Sequence, residues 1–228
     1  MTRLARLVLP GWVHHVTQRG NNRQVVFYSD NDRLLYLKLL AKYFIMHGLA
    51  LIAYCLMDNH IHLAVIPETE DSLARGVGQM HHDYARWHNV QSGRSGHLWQ
   101  NRFFSCPVEQ DRVGGVLSYI ELNPDRAKMV ENAWDWEWSS ARAHVTGVDP
   151  TGLLAMDPWR KHFDGAQWRN YLVQMAAERS SADCIRKATA TGRFLGSTAT
   201  ARRLELELGR PLLPKKRGRK PKGSTEMI

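Results

Sequence analysis

Leu56-Met57-Asp58-Asn59-His60-Ile61-His62-Leu63-Ala64-Val65-Ile66 is the stretch whose reading decides the fold. It is apolar on both sides of the histidines and is bounded by turn signals at Asp58-Asn59 and Pro67, so it reads as a buried strand. The preceding run, Leu49 to Met57, is a second apolar strand, and the two form a hairpin through Asp58-Asn59. Strand side chains alternate between faces, which puts His60 and His62 on one face, roughly 6–7 Å apart at Cα. Two imidazoles so placed can hold one divalent metal ion, or can be half-buried polar residues bonded to their neighbours.

Outward from the hairpin the pattern alternates. Trp12 to Gln18 is β-rich and ends at the turn Arg19-Gly20-Asn21-Asn22. A helix starts at Ser29-Asp30-Asn31-Asp32, carries Leu34, Leu37, Leu40, Ala41 and Phe44 at helical spacing, and stops at Gly48. A second amphipathic helix runs from about Asp71 to His88 on Leu73, Val77, Met80, Tyr84 and Trp87. The glycine-rich loop 91–96 leads into a strand at Ser105 to Glu109. Asp111 can cap a third helix, Arg112 to Asn123, closed by Pro124.

This order predicts an α+β fold of the ferredoxin-like or RRM-like split βαβ type: an antiparallel sheet, helices on one face, and the third helix as an addition. A first domain spans 1–145. A helical extension follows at 146–212, with helices at Gln167 to Glu178, Ala182 to Thr189 and Thr198 to Leu208. The last two can be a DNA-binding pair or a plain helical hairpin. Residues 213–228 form a disordered basic tail, in which Lys215, Lys216, Arg217 and Arg219 flank Gly218 in the manner of a minor-groove hook.

The chain has 228 residues, 43% hydrophobic and 23% charged, which suits a globular protein with a real core. Its net charge of +9 and isoelectric point near 9.7 favour a polyanionic partner, nucleic acid ahead of anionic membrane. Its three cysteines include no CxxC pair. Cys55 and Cys106 read as small core residues, and reduced thiols imply a cytosolic protein. The N-terminal apolar stretch is too short for a signal peptide, and no run reaches membrane-spanning length.

Tyr119 and Asn123 are four apart on the third helix and share a face. If that face meets the histidine strand, Tyr119 becomes a nucleophile and Asn123 a third, oxygen-donating ligand. Otherwise Tyr119 is a packed tyrosine and Asn123 a helix-ending residue. His/His/Asn ligation suits Mg2+ or Mn2+ better than a structural zinc. Trp99 can stack an unpaired base or fill the core, and Arg102 can pair with phosphate or stand on the surface. His14, His15, His81, His82 and His88 read as surface or packing histidines.

Asn59-His60-Ile61-His62-Leu63, Leu98-Trp99-Gln100-Asn101-Arg102-Phe103, Tyr119-Ile120-Glu121-Leu122-Asn123-Pro124-Asp125-Arg126-Ala127 and the opening His15-Val16-Thr17-Gln18-Arg19-Gly20-Asn21 together resemble the HUH single-tyrosine transposases, most closely the REP-associated tyrosine transposases. The resemblance spans residues 12 to about 130. It departs from the family at Asp125, where an apolar residue is commoner, and at Lys128, where glycine is common.

The resemblance implies that Tyr119 attacks single-stranded DNA to give a 5′-phosphotyrosine and a free 3′-hydroxyl. It implies Mg2+ as the working ion, with Mn2+ as the substitute, and no small-molecule cofactor. Arg19 and Asn21 would contact a tetranucleotide beside a hairpin repeat, and Arg126 with Lys128 would form a basic rim. The histidines and the tyrosine would come from one chain, favouring a monomer over a dimer, in a bacterial cytoplasm with the nucleoid. The competing readings are a metal phosphoesterase and a non-catalytic, sequence-specific DNA-binding regulator.

Overall fold

The structure is a computed structural model and describes residues 6–178 and 182–213. Four strands, β1 (His14–Arg19), β2 (Leu49–Met57), β3 (His60–Pro67) and β4 (Phe104–Pro107), form one antiparallel sheet in the order β2-β3-β1-β4. Helix α1 (Asp30–Met46) joins β1 to β2, and α2 (Ser72–Gln91) joins β3 to β4. This is the split βαβ order that the strand and helix pattern implied.

Local chemistry sets the boundaries. Ser29 caps α1 in a reciprocal box with Asp32, and Gly48 turns the chain at φ +59°, where a side chain would be strained. The buried stripe of α1 differs from the expected one. Tyr36, Leu37, Leu40, Tyr43 and Phe44 face the sheet, whereas Leu34 is 47% exposed. The large aromatics centre the inner face and turn Leu34 to its rim.

The β3 pleat sorts the core. Ile61, Leu63 and Val65 join Val16, Tyr54 and Leu56 under α1 and α2. A bulge between Leu51 and Ala53 puts Ile52 and Ala53 together on the opposite face, beside Cys55, Met57 and Ala64. That second face is apolar and needs cover, so the expectation of helices on one face holds for α1 and α2 alone. Helix α3 (Val113–Glu121) lies on the other side.

There α3 is joined by α5 (Ala141–Thr146), α6 (Met156–Arg160), α7 (Gly165–Ala177) and α8 (Ala182–Thr191), which contribute Ala141, Trp159, Trp168, Leu172 and Ile185. Helix α9 (Thr198–Leu208) packs Leu204 against Leu7 and Leu9.

The third helix is shorter than predicted. It ends at Glu121, and Pro124 opens a new short helix, α4 (Asn123–Arg126), rather than closing the old one. Proline is tolerated in a first helical turn because no intrahelical N–H is lost there. Asp111 lies in a 3-10 turn, Gln110–Arg112, and makes no side-chain cap. Lys128 follows α4 at φ 58°, the conformation that explains why glycine suits this position.

Residues beyond 130 also cover both sheet edges. On the β2 side, Leu56 N–H donates to the Trp138 carbonyl, Ser140 N–H to Tyr54 and Ala155 N–H to Leu51. On the β4 side, Leu195 N–H donates to Pro107, and Glu109 N–H to Leu195. Open edges invite pairing with other chains, and these segments occupy them.

A buried carboxylate ties α3 to this cover. Glu121 is fully buried and accepts from Ser140 Oγ at 2.5 Å, His144 Nδ1 at 2.6 Å and Trp168 Nε1 at 2.8 Å. Glu121→Ala strands these donors without water. It is expected to lower the unfolding free energy by about 3 kcal/mol, read as a lower urea midpoint at unchanged slope. A midpoint within error of the parent chain would show that the carboxylate does not hold the two layers together.

Candidate active site

The β3 pleat brings His60 and His62 to the face covered by α3 and α8. In the β1–β3 register Thr17 stands opposite His62 and His15 opposite Ala64, so His15 and His62 are diagonal neighbours. Their rings lie side by side and nearly coplanar, with centroids 5.2 Å apart and planes 7° from parallel, and His15 Nε2 lies 2.9 Å from His62 Nδ1. The His60 ring stands edge-on to His62 at 5.2 Å.

Tyr119 descends from α3 onto this pair. Its ring meets His15 and His62 edge-on, each at 5.6 Å between centroids. The histidine strand and the tyrosine helix therefore meet within one chain.

Arg126 folds back from α4, its guanidinium carbon 4.4 Å from the Tyr119 ring centre, and donates to the Tyr119 carbonyl. This residue, expected at the rim, lies over the tyrosine itself. Arg186 of α8 approaches the Tyr119 side chain, and that interaction raises the Arg186 pKa.

The ring nitrogens of the two strand histidines divide in the same way. His60 Nδ1 lies 2.6 Å from Asn59 Oδ1, and Asn59 Nδ2 donates to the Arg23 carbonyl. Only an amide nitrogen can donate to that carbonyl, so the Asn59 oxygen faces His60 and takes its Nδ1–H. His62 Nδ1 is engaged by His15. Among the described residues neither Nε2 carries a hydrogen bond.

Asn123 donates its amide nitrogen to the Tyr119 and Ile120 carbonyls at 3.0 and 3.1 Å, which leaves Oδ1 as its unbonded atom. Among the described residues no group of three or more His, Cys, Asp or Glu side chains is placed to hold a metal ion.

The expected DNA-contacting residues are brought together in part. Gly20 bridges to Trp99, Asn21 N–H donates to Leu98, and Gln100 N–H donates to the Arg19 carbonyl, which zips loop 98–100 to the end of β1. Arg19 pairs with His60 in the register and is exposed, as is Arg102. Trp99 is packed against α2: its indole N–H donates to the His81 carbonyl at 3.0 Å, and its ring lies against His81 and Tyr84. The ring is half-buried, packed on one side and lining the groove between α2 and segment 94–103 on the other. Lys215, Lys216, Arg217 and Arg219 lie outside the described residues.

His15, read from sequence as a surface or packing residue, belongs to the site, and so do Arg186 and Thr189 of the extension. Thr189 Oγ1 lies 2.8 Å from His15 Nδ1. The β1 alternation could have placed His15 on the right face, but only the strand register sets it beside His62. Nothing local marks Arg186 or Thr189, which lie far in sequence from Tyr119 and His15.

Residues 11–123 match the family described as "Transposase IS200 like". Over these residues the chain belongs to the IS200-like transposases. A solved REP-associated tyrosine transposase bound to a REP hairpin is similar in fold, with a TM-score of 0.51 and 19% identity over 69% of this chain and 90% of that one. A Deinococcus radiodurans R1 chain described as a transposase aligns at a TM-score of 0.38 and 18% identity, over 53% of this chain and 96% of its own. A search of curated proteins returns no match. In this IS200-like transposase no helix among the described residues is long and apolar enough to cross a membrane.

Burial keeps these imidazoles neutral. It pushes His60 down to about 4, helped by Arg19, and His15 to about 3, helped by Arg126. It lowers His62 well below the usual histidine value, with His15 and His60 adding to the effect. Outside the site burial brings His14 to about 4 and His81 to about 3.

Between the unfolded value of about 6.5 and these lower values, the unfolded chain binds protons that the folded chain refuses. Stability is then unaffected by these groups above pH ~6.5 and falls below it, by about 1.4 kcal/mol per pH unit for each histidine. Urea midpoints measured at pH 7.5 and pH 5 are expected to drop sharply at the lower pH. A flat profile would contradict the burial of these rings as neutral groups.

Proposed function

We propose that this IS200-like transposase is a metal-dependent endonuclease and strand transferase that acts on single-stranded DNA beside hairpin repeats. The observation that carries this reading is the meeting, within one chain, of the Tyr119 ring with His62, which stands beside His60; neither of these two strand histidines has a hydrogen bond at Nε2 among the described residues. A hydroxyl-bearing side chain beside two neutral imidazoles suits nucleophilic attack near a cation.

The chemistry of these side chains, two neutral imidazoles and an amide oxygen, supports a divalent ion. His60 Nε2 and His62 Nε2 would hold it with Asn123 Oδ1, leaving room for phosphate oxygens and water. Bound there, Mg2+ or Mn2+ would draw charge from the non-bridging oxygens of a phosphodiester.

The residues of the chain do the rest. Tyr119 loses its proton to water, and its oxygen forms a bond to phosphorus. The bond from phosphorus to the 3′ oxygen breaks, and that oxygen leaves as a hydroxyl with a proton from water. A 5′-phosphotyrosine remains, and the 3′-hydroxyl of a second strand can reverse the step without ATP. Arg126 holds the tyrosine backbone and ring in place.

The solved relative with a REP hairpin supports hairpin DNA as the partner. Arg19 stands opposite His60 in the strand register, and its exposed side chain supports a phosphate contact there. A groove between α2 and segment 94–103, edged by Arg6, Arg86, Arg94 and Arg102, offers a cationic path for a phosphate backbone. Convergence of the site residues in one chain supports a monomer, and a DNA-handling role puts the protein in the cytoplasm with its substrate.

Incubation with a single-stranded hairpin oligonucleotide and Mg2+ is expected to give an adduct that survives denaturing electrophoresis. Tyr119→Phe is expected to bind the same DNA within about twofold and form no adduct, since only the nucleophilic oxygen is removed. A free 5′-phosphate without adduct would favour the phosphoesterase, and unaltered cleavage by Tyr119→Phe would remove the tyrosine from its role. Removing residues 215–228 is expected to weaken DNA binding at low salt and flatten the salt dependence by roughly one unit of slope for each phosphate that the basic run neutralises. An unchanged slope would show that the basic run takes no part.

A further inference from the structure

Helix α8 belongs to the part of the chain beyond the matched family residues, yet it reaches the centre through Thr189. That side chain is 3% exposed and has three neighbours: His15 Nδ1 at 2.8 Å, the Ile185 carbonyl at 2.8 Å and Cys106 Sγ at 3.4 Å. A threonine hydroxyl has one hydrogen to give. The Ile185 carbonyl can only accept, so the hydroxyl hydrogen goes to it, as in the i−4 back-bond of helical threonines.

The hydroxyl oxygen therefore accepts from His15, and the His15 proton sits on Nδ1. His15 Nε2 is then a lone pair facing His62 Nδ1 at 2.9 Å, so His62 must donate. The sequence of bonds runs one way, from His62 through His15 and Thr189 to a main-chain carbonyl. Its far end is a His62 Nε2 without a proton. Asn59 and the Arg23 carbonyl impose the same tautomer on His60.

We infer that Thr189 is a positioning residue which, through His15, fixes the His62 tautomer with Nε2 bare and turned to receive a divalent cation. The inference rests on the proposed use of His60 and His62 as ligands. Hydrogen-bond partners behind a ligating imidazole set both its protonated nitrogen and its ring orientation. Cys106 could offer its S–H to the same oxygen, which the one-way sequence accommodates.

The test uses the full chain, prepared without metal. Long-range 1H–15N correlation of the imidazoles, with His62 assigned by the signal that disappears in His62→Asn, is expected to show its proton on Nδ1. A proton on Nε2 in the parent protein would overturn the inference whatever any variant does.

Thr189→Val keeps the shape and removes the hydroxyl. It is expected to mix the His62 tautomers and to raise the Mn2+ dissociation constant, measured by electron paramagnetic resonance, roughly tenfold or more. Thr189→Ser is expected to restore both. A Thr189→Val protein with the parent tautomer and parent Mn2+ affinity would also overturn the inference.

These readouts separate it from the reaction itself. Parent protein that has the expected tautomer but forms no DNA adduct leaves the relay standing and removes the strand-transfer reading. Parent protein that forms the adduct while Thr189→Val matches it in tautomer and affinity does the reverse.

Discussion

His15 Nε2 and His62 Nδ1 lie 2.9 Å apart on adjacent strands, and the centre is built around that contact. Each ring is buried, and a buried imidazole with an unpaired nitrogen is costly. Pairing the two rings satisfies one nitrogen of each, and Thr189 satisfies the second on His15. What remains is a single nitrogen on His62, beside a similar one on His60. The two coplanar rings on neighbouring strands also give the edge of Tyr119 a flat wall to rest against. Shifting β1 by one residue against β3 would turn His15 toward α1 and α2 and dismantle the arrangement.

The added helices are not decoration on a complete domain. The second face of the sheet carries Ile52, Met57 and Ala64, which would meet water without α3 and the aromatic residues of α6 and α7. Glu121 then locks α3 to that cover two residues beyond Tyr119, so the tyrosine sits on a helix held from both sides. The same stretch of chain that stabilises the sheet also delivers Arg186 and Thr189 to the tyrosine and the histidines. Stability and chemistry thus share one set of contacts.

Charge is arranged with similar economy. Exposed Arg19 stands opposite His60 at the end of β1, and exposed Arg102 lines the groove beside α2. Arg126 and Arg186, by contrast, turn in toward the tyrosine. Arg126 is the more deeply buried of this second pair, where a charge interacts more strongly, whereas Arg186 reaches the tyrosine from an exposed position on α8.

Hydrophobic alternation, turn residues and helical spacing by themselves determined the split βαβ order, the shared face of His60 and His62, and the shared face of Tyr119 and Asn123. These are local periodicities, and a single strand or helix already expresses them. The resemblance in the ordered motifs supplied the chemistry to expect. Tertiary structure decided the rest: that the tyrosine face meets the histidine face, that Trp99 rests against α2, that Pro124 opens a helix, and that His15 and Thr189 join the centre. Each of those depends on strand register or on packing between segments distant in sequence, where the partner's identity is set by three-dimensional proximity and leaves no mark in the neighbouring residues.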